Sequence, residues 1–273
     1  MKLAFSTLAC PNWSWEHALE AAQQYGYEGL EIRLLDGEIL PADLGRVTRR
    51  RVREACRTAG LPIISVGTSL CIAQPEPDDR ESQIQEGMAF LELAVEWDAP
   101  SIRVFGYPPD GLGEAQAEQA AVACLQLLAE RAKELGVTVA LETHDAFSSV
   151  ASVARILGQV GGSGVGLIWD IMNTYSAGES VADSMRQLRP YLTHVHVKDG
   201  RRPADGGKEW QSCLLGQGDV PIHPAMVALH KAGYNGWFSV EWEKKWQPHI
   251  EEPEVALPQY AMQLRSYLAA LKL

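Results

Sequence analysis

Four stretches of the chain carry ionisable side chains in a pattern suited to holding a cation. They are Leu141-Glu142-Thr143-His144-Asp145, Ile168-Trp169-Asp170, Thr193-His194-Val195-His196-Val197-Lys198-Asp199 and Ser239-Val240-Glu241-Trp242-Glu243. Each closes an apolar, strand-like run. Alternation with a period of two groups Glu142 with His144, His194 with His196 and Lys198, and Glu241 with Glu243. A carboxylate buried without a partner is costly, and a divalent cation removes that cost. Two Glu, one Asp and one His form an oxygen-rich set with one nitrogen, suited to Mn²⁺, Mg²⁺, Co²⁺ or Zn²⁺ with positions left open for substrate. Such an ion, chelated by adjacent carbonyl and hydroxyl oxygens, acidifies the C–H between them and stabilises an enediolate, while a nearby carboxylate moves the proton. Return of the proton to the other face is epimerisation, and return to the next carbon is isomerisation. Loss of a β-hydroxyl instead is dehydration. One ligand set serves all three. Singly, each residue has an ordinary reading, a salt-bridge carboxylate or a satisfied core histidine; their coincidence on adjacent strands is what favours the metal site.

The elements that must position these groups alternate along the whole chain. Short apolar runs predict strands at Lys2–Thr7, Gly29–Arg33, Pro62–Gly67, Ser101–Phe105, Thr138–Glu142, Val165–Asp170, Leu192–Val197 and Phe238–Trp242. Amphipathic runs predict helices at Arg51–Ala59, Glu81–Trp97, Glu114–Leu135, Ser149–Val160, Ser180–Leu188, Pro224–Ala232 and Pro258–Leu271. Eight strands alternating with helices, without a linker of distinct composition, predict a single (β/α)8 TIM barrel spanning residues 1–273. An open doubly wound sheet is disfavoured, because the first strand leads into Leu8-Ala9-Cys10-Pro11-Asn12-Trp13 rather than a glycine-rich turn. In a barrel, active sites form where strands end, and all four stretches above are strand ends.

Composition narrows the partners. Lys and Arg number 24 against 35 Asp and Glu, a formal net charge of −11, which argues against nucleic acid or anionic membrane as partner. The five cysteines are scattered, with no C-x-x-C pair, and no signal-like or membrane-length apolar stretch is present. A soluble, cytoplasmic protein is the expectation.

The same residues carry a family resemblance over nearly the whole chain. Gly29-Leu30-Glu31-Ile32, Leu141-Glu142, Trp169-Asp170, His194-Val195-His196-Val197-Lys198-Asp199 and Ser239-Val240-Glu241 resemble the xylose isomerase-like TIM barrel superfamily. That group holds sugar-phosphate isomerases and epimerases, inosose dehydratase and the AP endonuclease family 2-type enzyme endonuclease IV. The resemblance implies Glu142, Asp170, His196 and Glu241 as metal ligands. By likeness to the ketose 3-epimerase branch it implies Glu142 and Glu241 as acid and base on opposite faces of the substrate. It also implies a substrate-contacting Arg202, six residues beyond His196. Members commonly carry His three residues after the strand-six Asp; here Asn173 stands there, able to hydrogen-bond a hydroxyl but not to carry a proton charge.

Weaker signals complete the expected site. His144, His194 and Lys198 are expected to contact substrate or ligands, with a core role for His194 and a Schiff-base role for Lys198 as alternatives. Arg33 and Arg103 end strands two and four, where they would bind substrate oxygens or phosphate, or neutralise the acidic rim. Trp15, with Trp13, Phe105, Trp210 and Trp246, would offer rings to a sugar face. Gly200–Pro221 would form an excursion over the site, a candidate lid. The leading expectation is therefore a metal-dependent isomerase or epimerase of a small polyhydroxy carbonyl compound, homo-oligomeric as similar barrels commonly are. An inosose or dehydroshikimate dehydratase-like lyase follows, then an endonuclease IV-like nuclease and a non-catalytic sugar binder.

Overall fold

The structure, a computed structural model, describes residues 1–107, 111–204 and 210–271. Its eight main strands are β1 (Lys2–Ser6), β2 (Gly29–Ile32), β3 (Ile63–Cys71), β4 (Ser101–Phe105), β5 (Thr138–Glu142), β6 (Val165–Asp170), β7 (Leu192–Val197) and β8 (Trp237–Val240). They pair in parallel and in sequence order, and β8 closes on β1 to complete the (β/α)8 barrel. β2, β4 and β6 are buried at every position. Burial on both faces is what a parallel barrel inside a ring of helices requires, and it explains the continuous apolar runs.

The surrounding helices are α1 (Trp15–Tyr25), α2 (Arg46–Ala59), α3 (Pro77–Glu96), α4 (Glu114–Leu135), α5 (Val150–Val160), α6 (Val181–Leu188), α7 (Ile222–Lys231) and α8 (Pro253–Ala270). α4 buries Ala121, Leu125, Leu128 and Ala132 along one stripe and stops at Gly136, whose φ of 71° fits a residue without Cβ. α1 is absent from the helices read in the sequence. Its buried side is Trp15, Ala18, Leu19, Ala21 and Ala22, mostly alanine, so the stripe is faint. α8 starts five residues earlier than expected, because Pro253 takes the first helical position, where its missing N–H is harmless, and Pro258 lies inside the helix. No helix among the described residues is long and apolar enough to cross a membrane.

Two short hairpins sit on the strand ends: Leu34–Leu35 with Glu38–Ile39, and Asp199–Arg201 with Gln211–Cys213. The second opens the excursion expected at Gly200–Pro221, of which residues 205–209 lie outside the described residues. Its base is tied by one side chain. The buried Asp199 carboxylate accepts backbone N–H bonds from Gly200 (2.9 Å), Gly216 (2.8 Å), Gly218 (3.1 Å) and Val220 (3.3 Å). Asp199→Ala leaves these donors unpaired and is expected to cost about 2 kcal/mol, read as a lower urea midpoint at unchanged slope.

Candidate metal centre

The barrel brings the four expected ligands together. Glu142 ends β5 and Asp170 ends β6, His196 is the last residue but one of β7, and Glu241 follows β8, its N–H bonded to Val197 O at 3.1 Å. Strand register sets Asp170 beside His196, and His196 beside Ser239. One donor atom from each ligand lies within 4.8 Å of the others, and all four residues are buried.

Each expected ligand is held by a neighbour. Asp170 Oδ1 accepts the Asn173 N–H at 2.8 Å and caps the short helix Ile171–Ser176, while the Asp170 N–H donates to Thr143 Oγ1 at 2.9 Å. That leaves Oδ2 facing the cluster. It lies 2.9 Å from Lys198 Nζ but in a direction that makes no hydrogen bond. Glu142 Oε2 accepts from Arg103 Nη1 at 2.8 Å, and its Oε1 lies 3.0 Å from His196 Nδ1. On the other side of the ring, His196 Nε2 is 2.8 Å from Glu31 Oε2, which also accepts from Ser239 Oγ at 3.1 Å.

That arrangement decides how His196 is used. With Nε2–H donating to Glu31, the second nitrogen turns to Glu142 and to Glu241, 3.4 Å away. A lone pair aimed at carboxylate oxygens is repulsive unless positive charge sits between them, and either a proton on Nδ1 or a metal ion supplies it. Burial pushes the His196 imidazolium down, but Glu241, Glu31 and Glu142 outweigh it and hold its pKa well above the ordinary value. Burial pushes Asp170 up to about 6; Lys198 opposes the shift, and Glu241 and Glu142 add to it. Burial and Glu241 also push Glu142 up, yet His196 and Arg103 leave it below the usual carboxylate range. Three carboxylates, one oriented imidazole and an Asp170 Oδ2 that makes no hydrogen bond are what a divalent ion fits.

Glu31 is the member of the buried cluster that the sequence reading does not single out as a site residue. It is 1% exposed in an otherwise apolar strand, the same signal that draws attention to Glu142. Burial pushes its carboxyl up, but His196 and His194 reverse the sign and hold it far below the usual range. Glu31→Gln is expected to fold and to bind metal roughly ten- to a hundredfold more weakly, as read by competition with a chelator dye.

The remaining expected residues divide. Lys198 Nζ bridges Asp170 (2.9 Å), Glu241 (3.0 Å) and Glu243 (2.6 Å). Burial pushes its ammonium down, but Asp170 and those glutamates hold it charged, which withholds the lone pair a Schiff base needs. Arg103 is engaged with Glu142 and with Thr68 O, and it stacks 3.9 Å over Phe105. His144 stands at the rim, bonded to Asp145 and edge-on to Phe105 and Tyr107. Asn173 turns its amide to Thr143 O at 3.0 Å. Arg202 is exposed; its N–H donates to Asp219, and its guanidinium lies 5.4 Å from the Trp210 ring centre rather than at the cluster.

One expectation needs correction. Trp15 is the first residue of α1 and belongs to the hydrophobic core at 1% exposure rather than standing at the rim. Of the two readings open for His194, the structure fits the core role: it precedes His196 by two residues in β7, is 1% exposed, lies 3.5 Å from Glu31 and sets its ring 5.3 Å from that of His196. Sequence position alone does not say how deep a side chain sits.

Fold and cluster define a (β/α)8 barrel with an acidic, histidine-containing centre at the C-terminal ends of its strands. A family model described as "Xylose isomerase-like TIM barrel" matches residues 19–266, and the chain belongs to that family. The chain is 24% identical over 257 residues to a fructoselysine 3-epimerase of Escherichia coli O157:H7, covering 88% of this chain and 90% of that protein. It is 26% identical over 159 residues to an inosose dehydratase of Geobacillus thermodenitrificans, covering 53% of this chain and 51% of the dehydratase, so it spans about half of that relative's length. The fold matches that of IolI protein with a bound zinc atom at a TM-score of 0.84, with 19% identity over 99% of each chain.

Proposed function

We propose that the protein is a divalent-metal-dependent enzyme that moves a proton on a small polyhydroxy carbonyl compound, as an isomerase or epimerase. The observation that carries this reading is the convergence of Glu142, Asp170, His196 and Glu241 at one end of the barrel. These four would hold the ion, which when bound would polarise a carbonyl and stabilise the negative charge that develops as the neighbouring C–H is lost. Glu142 and Glu241 enter from non-adjacent strands, β5 and the end of β8. One takes the proton and the other returns it. Arg103 keeps Glu142 ionised and oriented, and Lys198 does the same for Glu241. Relatives named as an epimerase and as a dehydratase support the reaction class without choosing within it.

A lyase is the second reading, and one observation favours it. Asn173 occupies the place where the epimerase branch commonly has His, and its amide is bonded to the backbone of Thr143. Incubation of metal-loaded protein in D₂O with ketoses and inososes separates the two. Deuterium in recovered sugar is expected for the isomerase or epimerase, and loss of water without that exchange for the lyase. No exchange and no water loss in any substrate, with metal bound, would sink both.

A further inference from the structure

Arg33 is a strand-end cation that the metal cluster leaves unexplained. It follows β2 and is only 7% exposed. Its Nη2 donates to Oγ of the exposed Ser69 at 2.9 Å, while its Nη1 is buried without a hydrogen-bond partner. Among the described residues no carboxylate forms an ion pair with it. Arg103 is its neighbour across Gly67. A Cβ at Gly67 would lie 3.2 Å from Arg33 Cδ and 3.3 Å from Arg103 Nη2, so the missing side chain is what lets the two arginines lie side by side. Arg103 spends one nitrogen on Glu142 and another on Thr68 O, and its Nε is also buried without a partner. Burial, then the Arg103 charge, pushes Arg33 down to about 10, against a smaller opposing pull from Glu241, Tyr107 and Glu142.

A buried guanidinium beside another guanidinium is expensive unless an anion completes the arrangement. Its planar fork is matched by oxyanions, and hydroxyl groups do not supply the charge. We infer that Arg33, with Arg103 and Ser69 beside it, forms a subsite for an oxyanion group of the substrate. The substrate is then an anionic polyhydroxy carbonyl compound, carrying a carboxylate or a phosphate, and not a neutral sugar. This inference rests on the proton-transfer reading above, since it names the substrate class of the same site.

The test is calorimetric titration of the metal-loaded protein with D-fructose, its 6-carboxylate (D-fructuronate) and its 6-phosphate. At least one anionic sugar is expected to bind roughly ten- to a hundredfold more tightly than fructose, and the tighter one identifies the group. Arg33→Met should bring that ratio to about one, and Arg33→Lys should keep part of it, because a point charge retains attraction without the fork. Competition by inorganic phosphate, expected to displace the anionic sugar at concentrations that leave fructose binding unchanged, tests the same claim on the unaltered protein, and no displacement overturns it. Fructose binding as tightly as both anions, equal weakening of all three ligands by Arg33→Met, or no binding by any of them overturns the subsite. Deuterium exchange into fructose without anion preference would overturn the subsite and keep the proton-transfer reading. Arg33-dependent anion binding without exchange in any sugar would do the reverse.

Discussion

Glu142→Gln is expected to slow exchange of the carbon-bound proton by roughly a hundred- to ten-thousandfold and, unlike Glu241→Gln, to cost about 3 kcal/mol of fold stability. The catalytic loss follows from removing a general acid–base group that also contributes a negative ligand. The difference in stability follows from what each carboxylate leaves behind. Arg103 is 3% exposed, and Glu142 is its ion-pair partner at 2.8 Å. A neutral amide in place of the Glu142 carboxylate would leave that guanidinium buried with hydrogen bonds but without its ion-pair partner, the more distant Glu31 and Glu241 remaining. Lys198, by contrast, keeps Asp170 at 2.9 Å and Glu243 at 2.6 Å when Glu241 is neutralised. Glu241→Gln should therefore cost about 1 kcal/mol or less. Exchange followed by NMR in D₂O, with urea unfolding of each variant, reads both effects. Adding Arg103→Met to Glu142→Gln should restore stability without restoring exchange. Full exchange in Glu142→Gln would remove that residue from the acid–base pair, and equal stability losses would remove the Arg103 argument.

How much of this is legible in the sequence depends on distance along the barrel wall. β4, β5, β6 and β7 can be read to the residue, because an apolar run buried on both faces leaves polar residues at its ends. The grouping of Glu142, Asp170, His196 and Glu241 follows, since they sit on or directly after β5 to β8, strands that pair with one another in order. Period-two alternation also puts His194, His196 and Lys198 on one face, and all three are buried inside. Glu31 is out of reach by that route. Its partner His196 is on β7, separated from β2 by β1 and β8, and only closure of the barrel carries one to the other. Alternation says which side of a strand a residue faces and nothing about the opposite wall.

Depth is the second blind spot. His194 and His196 share a face and differ by two residues, yet His194 approaches only Glu31, at 3.5 Å, while His196 meets Glu31, Glu142 and Glu241. Strand tilt and stagger fix such layers, and a linear pattern does not encode them. The same holds for Arg33 and Arg103, which in the sequence are separate strand-end cations. Their pairing depends on Gly67, a residue that in the sequence merely ends a predicted strand; in the structure β3 runs on to Cys71, and the glycine stands where two side chains need room.

Returning Mn²⁺ or Zn²⁺ to chelator-treated protein is expected to raise its thermal midpoint by about 5–10 °C at about pH 7.5 and by far less at about pH 5. The size follows from mass action, since an ion at a hundredfold excess over its dissociation constant adds about 2.7 kcal/mol to the folded state. The pH dependence follows from the two ligands that must lose protons. Burial pushes Asp170 up to about 6, so at about pH 5 it enters the ligand set only after deprotonation, and His196, held well above its ordinary value by Glu241, Glu31 and Glu142, must do the same. Metal affinity therefore falls as pH drops through that range. The metal-free fold moves the other way. A folded-state pKa above the unfolded value means the native protein binds the proton more tightly, so both groups stabilise the metal-free protein as pH falls, and that contribution is lost as pH rises through their folded values. The metal-loaded and metal-free curves thus converge toward acid from both sides. Calorimetric scans of the two forms at each pH measure the gap directly. A gap of equal size at both pH values would mean that the ion binds without displacing protons from Asp170 and His196, and no gap with any of Mn²⁺, Mg²⁺, Co²⁺ and Zn²⁺ at saturation would mean that Glu142, Asp170, His196 and Glu241 are balanced by protons, Arg103 and Lys198 alone.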